Sequence, residues 1–285
     1  MKHAEYWFES PDGLRLFSRV YATNSASAPV VLCLHGLTRN GRDFEELAPH
    51  LAERYRVIVP DVRGRGLSQR DPDPSHYKMP VYLRDLEILL DGLGADSVSV
   101  IGTSMGGLMA MTLGATRPAR VSRIVLNDVG PELDPVGLER IRRHAGRSPV
   151  VATWPEAIAQ LRQLFGTTWP HLPEARWEAI ARRSYRVNHT GMLEPDADPM
   201  IGEVLRNSAG AARDFWPLWA ALGQMPVLAL RGELSDFLSA QTLTRMQREK
   251  PGLEAATIPQ RGHTPLLDEP GCLDRIDRFL AAARP

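Results

Sequence analysis

The stretch from Ser97 to Ala110, SVSVIGTSMGGLMA, constrains the fold more than any other part of this chain. It begins as an apolar, β-branched run and ends in small and helix-forming residues. Between the two, Gly102-Thr103-Ser104-Met105-Gly106 fits G-x-S-x-G. That spacing calls for a sharp strand-to-helix turn with Ser104 at its tip in a strained backbone conformation. Glycines two residues before and two after let neighbouring backbone pass without a Cβ clash. A helix that begins just after the serine aims its free N–H groups at it, which suits a developing negative charge. The competing role for Ser104 is that of a plain helix N-cap in a glycine-rich turn.

Such a turn needs a sheet, and the surrounding chain supplies one. Glu5 to Val20 reads as two strands around Pro11-Asp12-Gly13. Pro29 to Leu34 is a continuous apolar run, the mark of a strand buried on both faces. A helical segment follows with Phe44, Leu47, Leu51 and Tyr55 on one face. Arg56 to Pro60 is the next strand. Tyr82 to Leu93 is helical, with a stripe of Leu83, Leu86, Leu89 and Leu90. Val121 to Asn127, Pro226 to Leu230 and Leu253 to Ile258 are further strands. Leu238 to Glu249 and Leu273 to Ala283 are helices. The repeated alternation predicts a parallel sheet with helices on both faces.

At Pro131 the pattern changes. Residues 131–222 hold no convincing strand run and carry five of the six tryptophans, Trp154, Trp169, Trp177, Trp216 and Trp219. Thr153-Trp154-Pro155-Glu156 reads as a capping box with proline in the first turn. Further helices are expected from about Pro173, Asp198 and Phe215. The expected division is a core of residues 1–130 and 223–285 and a helical cap of residues 131–222.

Composition removes several classes of partner. The 285 residues carry zero formal net charge and no long basic run, which argues against nucleic acid and anionic membranes. The start, Met1-Lys2-His3-Ala4-Glu5-Tyr6, lacks an apolar signal segment, and no run approaches a membrane span. Cys33 and Cys272 do not form a disulfide framework. A cytoplasmic location is the expectation. His144, His171 and His189 are scattered without ligand spacing, so no metal or cofactor is expected. The sequence leaves the oligomeric state open and is compatible with a homodimer.

Reactive groups in an open parallel sheet collect beyond the carboxyl ends of its strands. Four such ends carry notable residues: His35-Gly36-Leu37, Ser104, Asp236 and His263. Serine is a weak nucleophile until a base takes its proton, and the base must be oriented by a third group. Ser104, His263 and Asp236 are the candidates for these roles, in the order Ser…Asp…His. Two rival acids stand in the chain: Glu233, nearer its strand, and Asp128, at the end of the strand before the cap. The Gly-x-x-Ser-Asp spacing ending at Asp236 leaves room to turn back toward His263 and favours Asp236. The stretch from Asp61 to Ser68 lacks the Lys-Ser/Thr pair of a phosphate loop, and reads as a structural turn with local hydrogen bonds from Asp61 and Arg63.

These residues, spread over nearly the whole chain, resemble the α/β-hydrolase superfamily with a serine nucleophile and a cap. The resemblance implies a mostly parallel eight-stranded sheet, a cap over the site and a two-step acyl transfer. The oxyanion hole is then expected from the backbone N–H groups of Leu37 and Met105. The implied activity is hydrolysis of a small carboxylic ester or lactone by Ser104, Asp236 and His263, with Trp154, Trp177 and Trp216 as candidate substrate contacts in the cap. The same triad also serves a carbon–carbon bond hydrolase or a cofactor-free perhydrolase. A non-catalytic small-ligand receptor on this fold is the non-enzymatic alternative.

Overall fold

The computed structural model describes residues 3–23, 25, 27–208, 214–269 and 271–282 of the chain. Its elements, in order, are β1 (Ala4–Glu9), β2 (Arg15–Tyr21), β3 (Val30–Leu34), α1 (Leu47–Leu51), β4 (Arg56–Asp61), α2 (Met79–Gly92), β5 (Val98–Thr103), α3 (Met105–Thr116) and β6 (Val121–Asn127). Then come α4 (Pro135–His144), α5 (Trp154–Phe165), α6 (Glu174–Ser184), β7 (Tyr185–Val187), β8 (Leu193–Pro195), α7 (Met200–Asn207) and α8 (Trp216–Ala221). The chain closes with β9 (Val227–Gly232), α9 (Ala240–Glu249), β10 (Glu254–Ile258) and α10 (Cys272–Ala281). Met1 and Lys2, residues 209–213 of the expected cap, and Ala283 of the expected last helix lie outside the described residues.

Eight strands form one sheet in the order β1-β2-β4-β3-β5-β6-β9-β10. β1 and β2 pair antiparallel, as do β2 and β4, and every other pairing is parallel. Alternation along the inner strands builds two cores. In β3, Leu32 and Leu34 enter one core while Val31 and Cys33 enter the other. In β9, Val227 and Ala229 face the first, and Leu228 and Leu230 the second. Period-two side chains buried on both faces explain why these strands read as unbroken apolar runs. Helix α3 fills the first core with Met109, Ala110, Met111 and Leu113, all fully buried or nearly so.

Between β6 and β9 the chain leaves the sheet. There α5 and α6 build their own apolar cluster on Trp169, Trp177, Ile180 and Leu193, whereas Ile201 of α7 and Trp219 of α8 are buried in the first core, so residues 131–222 do not form a wholly separate layer. This layer also contains strands, which the sequence reading did not expect. β7 and β8 pair antiparallel as a two-stranded sheet, with Val151 bridging to Leu193. Three residues apiece are too few to show a strand period against helical surroundings.

The turn after β4 also differs from expectation. The Asp61 carboxylate bonds within the turn only through the Leu67 N–H at 2.9 Å; its other partners, the Gly41 N–H at 2.7 Å and Arg19, come from outside it. Arg63 also reaches well beyond the turn, to Asp12, Asp71 and Asp85. A fully buried guanidinium with five donors needs acceptors from several segments, and three carboxylates supply them.

Candidate active site

Ser104 sits between β5 and α3 with φ +52° and ψ −113°, a conformation rare for a residue with a side chain. The flanking glycines make the turn possible. A Cβ on Gly102 would lie 2.4 Å from the Gly106 carbonyl oxygen, and one on Gly106 would lie 2.1 Å from that of Leu34. The Ser104 N–H is bonded to the Asn127 carbonyl at 3.0 Å, which ties the turn to the end of β6.

Ser104 Oγ lies 2.9 Å from His263 Nε2. His263 Nδ1 lies 2.8 Å from Asp128 Oδ2. A carboxylate only accepts, so Nδ1 carries the proton, and Nε2 is left to accept from the serine hydroxyl. Asp128 is fully buried and follows β6 in a left-handed conformation with φ +55°. Its Oδ1 accepts from the Gly232 N–H at 2.7 Å, and its Oδ2 accepts from Ser235 Oγ at 2.6 Å. The Phe237 ring covers His263 at 4.2 Å between centroids.

The acid beside His263 is therefore Asp128 and not Asp236. Asp236 turns the other way and takes Nε and Nη2 of Arg140 at 2.5 and 2.8 Å. Burial works to raise its carboxyl pKa, but the Arg140 guanidinium prevails and holds it below the ordinary carboxylate value. The reason is local. Ser235 bends back to bond Asp128 and also receives the N–H groups of Phe237 and Leu238, so the next side chain points away toward α4. Gly137 of α4 fits against this loop, where a Cβ would lie 2.2 Å from the Asp236 carbonyl oxygen. Glu233 is engaged with the Gln260 N–H at 2.8 Å.

The histidine loop is held from both sides. Asn127 Nδ2 donates to the Pro265 carbonyl at 2.9 Å, and Trp169 Nε1 donates to that of Thr264 at 2.8 Å. The Gly262 N–H donates to the Thr168 carbonyl at 2.7 Å. Ser104 and His263 open into a cavity of about 190 Å³ between the carboxyl edge of the sheet and the helical layer. Leu37 borders it, and neither the Leu37 nor the Met105 N–H has a hydrogen-bond partner among the described residues. Both are free to meet a substrate oxygen.

The expected tryptophan contacts are not at this cavity. Trp154 lies under the Arg182 guanidinium at 4.0 Å, and Trp216 under that of Arg245 at 3.7 Å. Trp177 is buried in the helical layer beside Trp169, with centroids 5.8 Å apart. The tryptophan that borders the cavity is Trp169. Aromatic composition marked the layer but could not say which faces turn inward. Trp169→Ala is expected to shift the preferred acyl length in a series of p-nitrophenyl esters, whereas Trp154→Ala and Trp216→Ala leave it unchanged. Trp177→Ala is expected to lower stability by about 3–5 kcal/mol without changing that preference. Thermal melts beside the kinetics separate the two effects.

His35 braces the loop that carries Leu37. Its Nδ1 donates to the Gly36 carbonyl at 2.8 Å, and its Nε2 accepts the Val62 N–H at 3.0 Å. Only a neutral ring makes both bonds. Complete burial pushes its pKa down to about 4. The unfolded chain's histidine, with a pKa of about 6.5, takes up a proton first as pH falls. Stability from this group is thus full above about pH 6.5 and is lost toward pH 4, by about 3 kcal/mol. Denaturant midpoints measured from pH 7 to 4.5 should show the decline, and His35→Gln should flatten it.

Comparison with known proteins agrees with this architecture. The family model described as the alpha/beta hydrolase fold matches residues 29–150. A 3-hydroxybutyrate-oligomer hydrolase of Cupriavidus necator is 34% identical over 281 residues, covering 96% of each chain. A 2-(acetamidomethylene)succinate hydrolase of Mesorhizobium japonicum is 26% identical, over 83% of this chain and 82% of its own. The crystal structure of an alpha/beta hydrolase from Novosphingobium aromaticivorans superposes with a TM-score of 0.92 at 44% identity, covering 98% of this chain and 99% of that one. With the mostly parallel eight-stranded sheet and the serine at its strand-to-helix turn, these likenesses establish that the chain belongs to the α/β-hydrolase superfamily.

Proposed function

We propose that this α/β-hydrolase is a serine esterase for short esters of a hydroxycarboxylic acid whose other end is a free carboxylate. The observation that carries the ester reading is the unbroken line from Ser104 through His263 to Asp128, opening into the cavity. Ser104 Oγ attacks the ester carbonyl as His263 Nε2 takes its proton. The Leu37 and Met105 N–H groups receive the oxyanion. His263 then protonates the departing alcohol, leaving an acyl-serine. Water, deprotonated by His263, attacks the acyl carbon, and Ser104 recovers its proton as the acid leaves.

The substrate class draws on the cavity lining and on two relatives. Leu161, Phe165, Trp169 and Ile180 give an apolar interior suited to a short alkyl chain. Arg140 and His144 of α4 also border it. Arg140 spends Nε and Nη2 on Asp236, while Nη1 has no partner among the described residues. A guanidinium edge suits a carboxylate. The names of both curated relatives describe carboxylate-bearing substrates, a hydroxybutyrate oligomer and a succinate.

The test uses the linear dimer of 3-hydroxybutyrate as free acid and as methyl ester, with p-nitrophenyl butyrate as a reference. Cleavage of all three is expected, with KM lowest for the free acid and raised by Arg140→Met for that substrate alone. Equal KM values for acid and methyl ester would remove the carboxylate part of the reading. No cleavage of any ester would remove the esterase reading.

A further inference from the structure

Arg65 lies in the turn after β4 and is 1% exposed. Burying a cation costs several kcal/mol unless nearby charges or dipoles compensate it. Its neighbour Arg63 meets this demand with the carboxylates of Asp12, Asp71 and Asp85. Arg65 pairs with no carboxylate among the described residues. Its Nε donates to the Leu37 carbonyl at 2.9 Å. Its Nη1 donates to the Arg63 carbonyl at 2.7 Å and to the Tyr82 hydroxyl at 3.1 Å. Its Nη2 points at Met105 Sδ, 3.7 Å away. The Tyr77 and Tyr82 rings flank the guanidinium, with Cζ 5.6 and 5.0 Å from their centroids. Dipoles and ring faces solvate the charge without cancelling it.

The two ends of this guanidinium touch Leu37 and Met105, the residues whose N–H groups the esterase reading assigns to the oxyanion. Leu37 stands on the loop after β3, and Met105 opens α3. One planar guanidinium thus touches two segments that must keep a fixed spacing. Gly64 lets the turn deliver it: φ is +77°, and a Cβ there would lie 2.6 Å from the Tyr77 hydroxyl oxygen.

We propose that Arg65 is the positioning residue of the oxyanion site, fixing Leu37 against Met105 and leaving an uncancelled positive charge beside the oxyanion. The inference rests on the esterase reading of Ser104. A neutral ester gains little from a nearby charge, whereas the tetrahedral oxyanion gains much in a water-poor site. The effect therefore falls on kcat rather than KM.

The test compares wild type, Arg65→Gln and Arg65→Lys. Turnover of p-nitrophenyl butyrate is measured with affinity for butylboronic acid, which forms an anionic tetrahedral adduct on a nucleophilic serine. For Arg65→Gln, kcat should fall about 100-fold and boronate affinity by a similar factor, with KM within about threefold. Arg65→Lys keeps the charge but gives up the guanidinium geometry, so it should recover part of both losses. A lower melting point with unchanged kcat and boronate affinity would mean that Arg65 only packs, and would overturn the proposal. If Arg65→Gln does not fold, Arg65→Lys decides: matched losses in kcat and boronate affinity at constant KM support the proposal, and unchanged values overturn it. A wild-type protein that binds the boronate but cleaves no ester would defeat the esterase reading alone, since the boronate arm still reports on Arg65.

Discussion

Ser104→Ala is expected to abolish covalent labelling by a fluorophosphonate and to lower ester turnover by about 10⁵- to 10⁶-fold. The argument begins with the backbone. The turn holds residue 104 at φ +52° whatever its side chain, so alanine removes the nucleophile and little else. The Leu37 and Met105 N–H groups and the cavity remain, so the residual rate should stay above that of free solution. Mass spectrometry of the labelled protein and burst kinetics check the result. Undiminished labelling of the variant would place the nucleophile elsewhere.

Asp128→Asn should cost nearly as much, about 10⁴-fold in kcat, while Asp236→Asn should cost less than about tenfold. An amide at position 128 offers an N–H where His263 Nδ1 now donates, favouring the tautomer that cannot accept from Ser104. The buried donors from Gly232 and Ser235 would also lose the carboxylate they were built around. Asp236→Asn weakens only the bridge to Arg140 at the rim of the cavity. Paired kinetics and melting curves distinguish the two. A crippled Asp236→Asn beside an active Asp128→Asn would overturn Asp128 as the acid.

The choice between these two aspartates shows where local pattern stops. The serine turn could be read because its requirements lie within five residues: a strand, two glycines and a helix start. The parallel sheet could be read because strands buried on both faces leave unbroken apolar runs. The acid was different. Asp128 and Asp236 both follow strands, and both satisfy the order Ser…Asp…His. What separates them is the path of the loop after β9, where Ser235 folds back on Asp128 through a contact 107 residues apart in sequence. The Gly-x-x-Ser-Asp spacing was a real signal, but its serine supports the acid rather than its aspartate serving as one. The tryptophans of the helical layer failed to mark the cavity for a related reason. Their inward and outward faces are set by packing between helices: Trp154 and Trp216 pack half-buried against apolar clusters without bordering the cavity, each with a guanidinium, of Arg182 and Arg245, over its ring.

The position of Asp128 has a consequence for how such a chain can diversify. It directly follows β6, so Ser104, Asp128 and His263, the groups proposed to carry the reaction, all come from segments outside residues 131–222. The splice point is closely packed: a Cβ on Gly130 would lie 2.8 Å from Met246 Sδ and 2.9 Å from Leu238 Cδ1. Replacing the helical layer would leave those three groups in place, but a graft would have to restore partners for the Gly262 N–H and the Thr264 carbonyl. It would also have to restore the layer's other ties to the sheet, among them Asn40 to the Arg183 carbonyl, Tyr77 to Asp198, and Trp219 in the first core. Chimeras joined at residues 131 and 222 are expected to keep one parent's serine, histidine and aspartate, while their cavity mixes Leu161, Phe165, Trp169 and Ile180 of the layer with Leu37, Leu266 and Leu267 of the core.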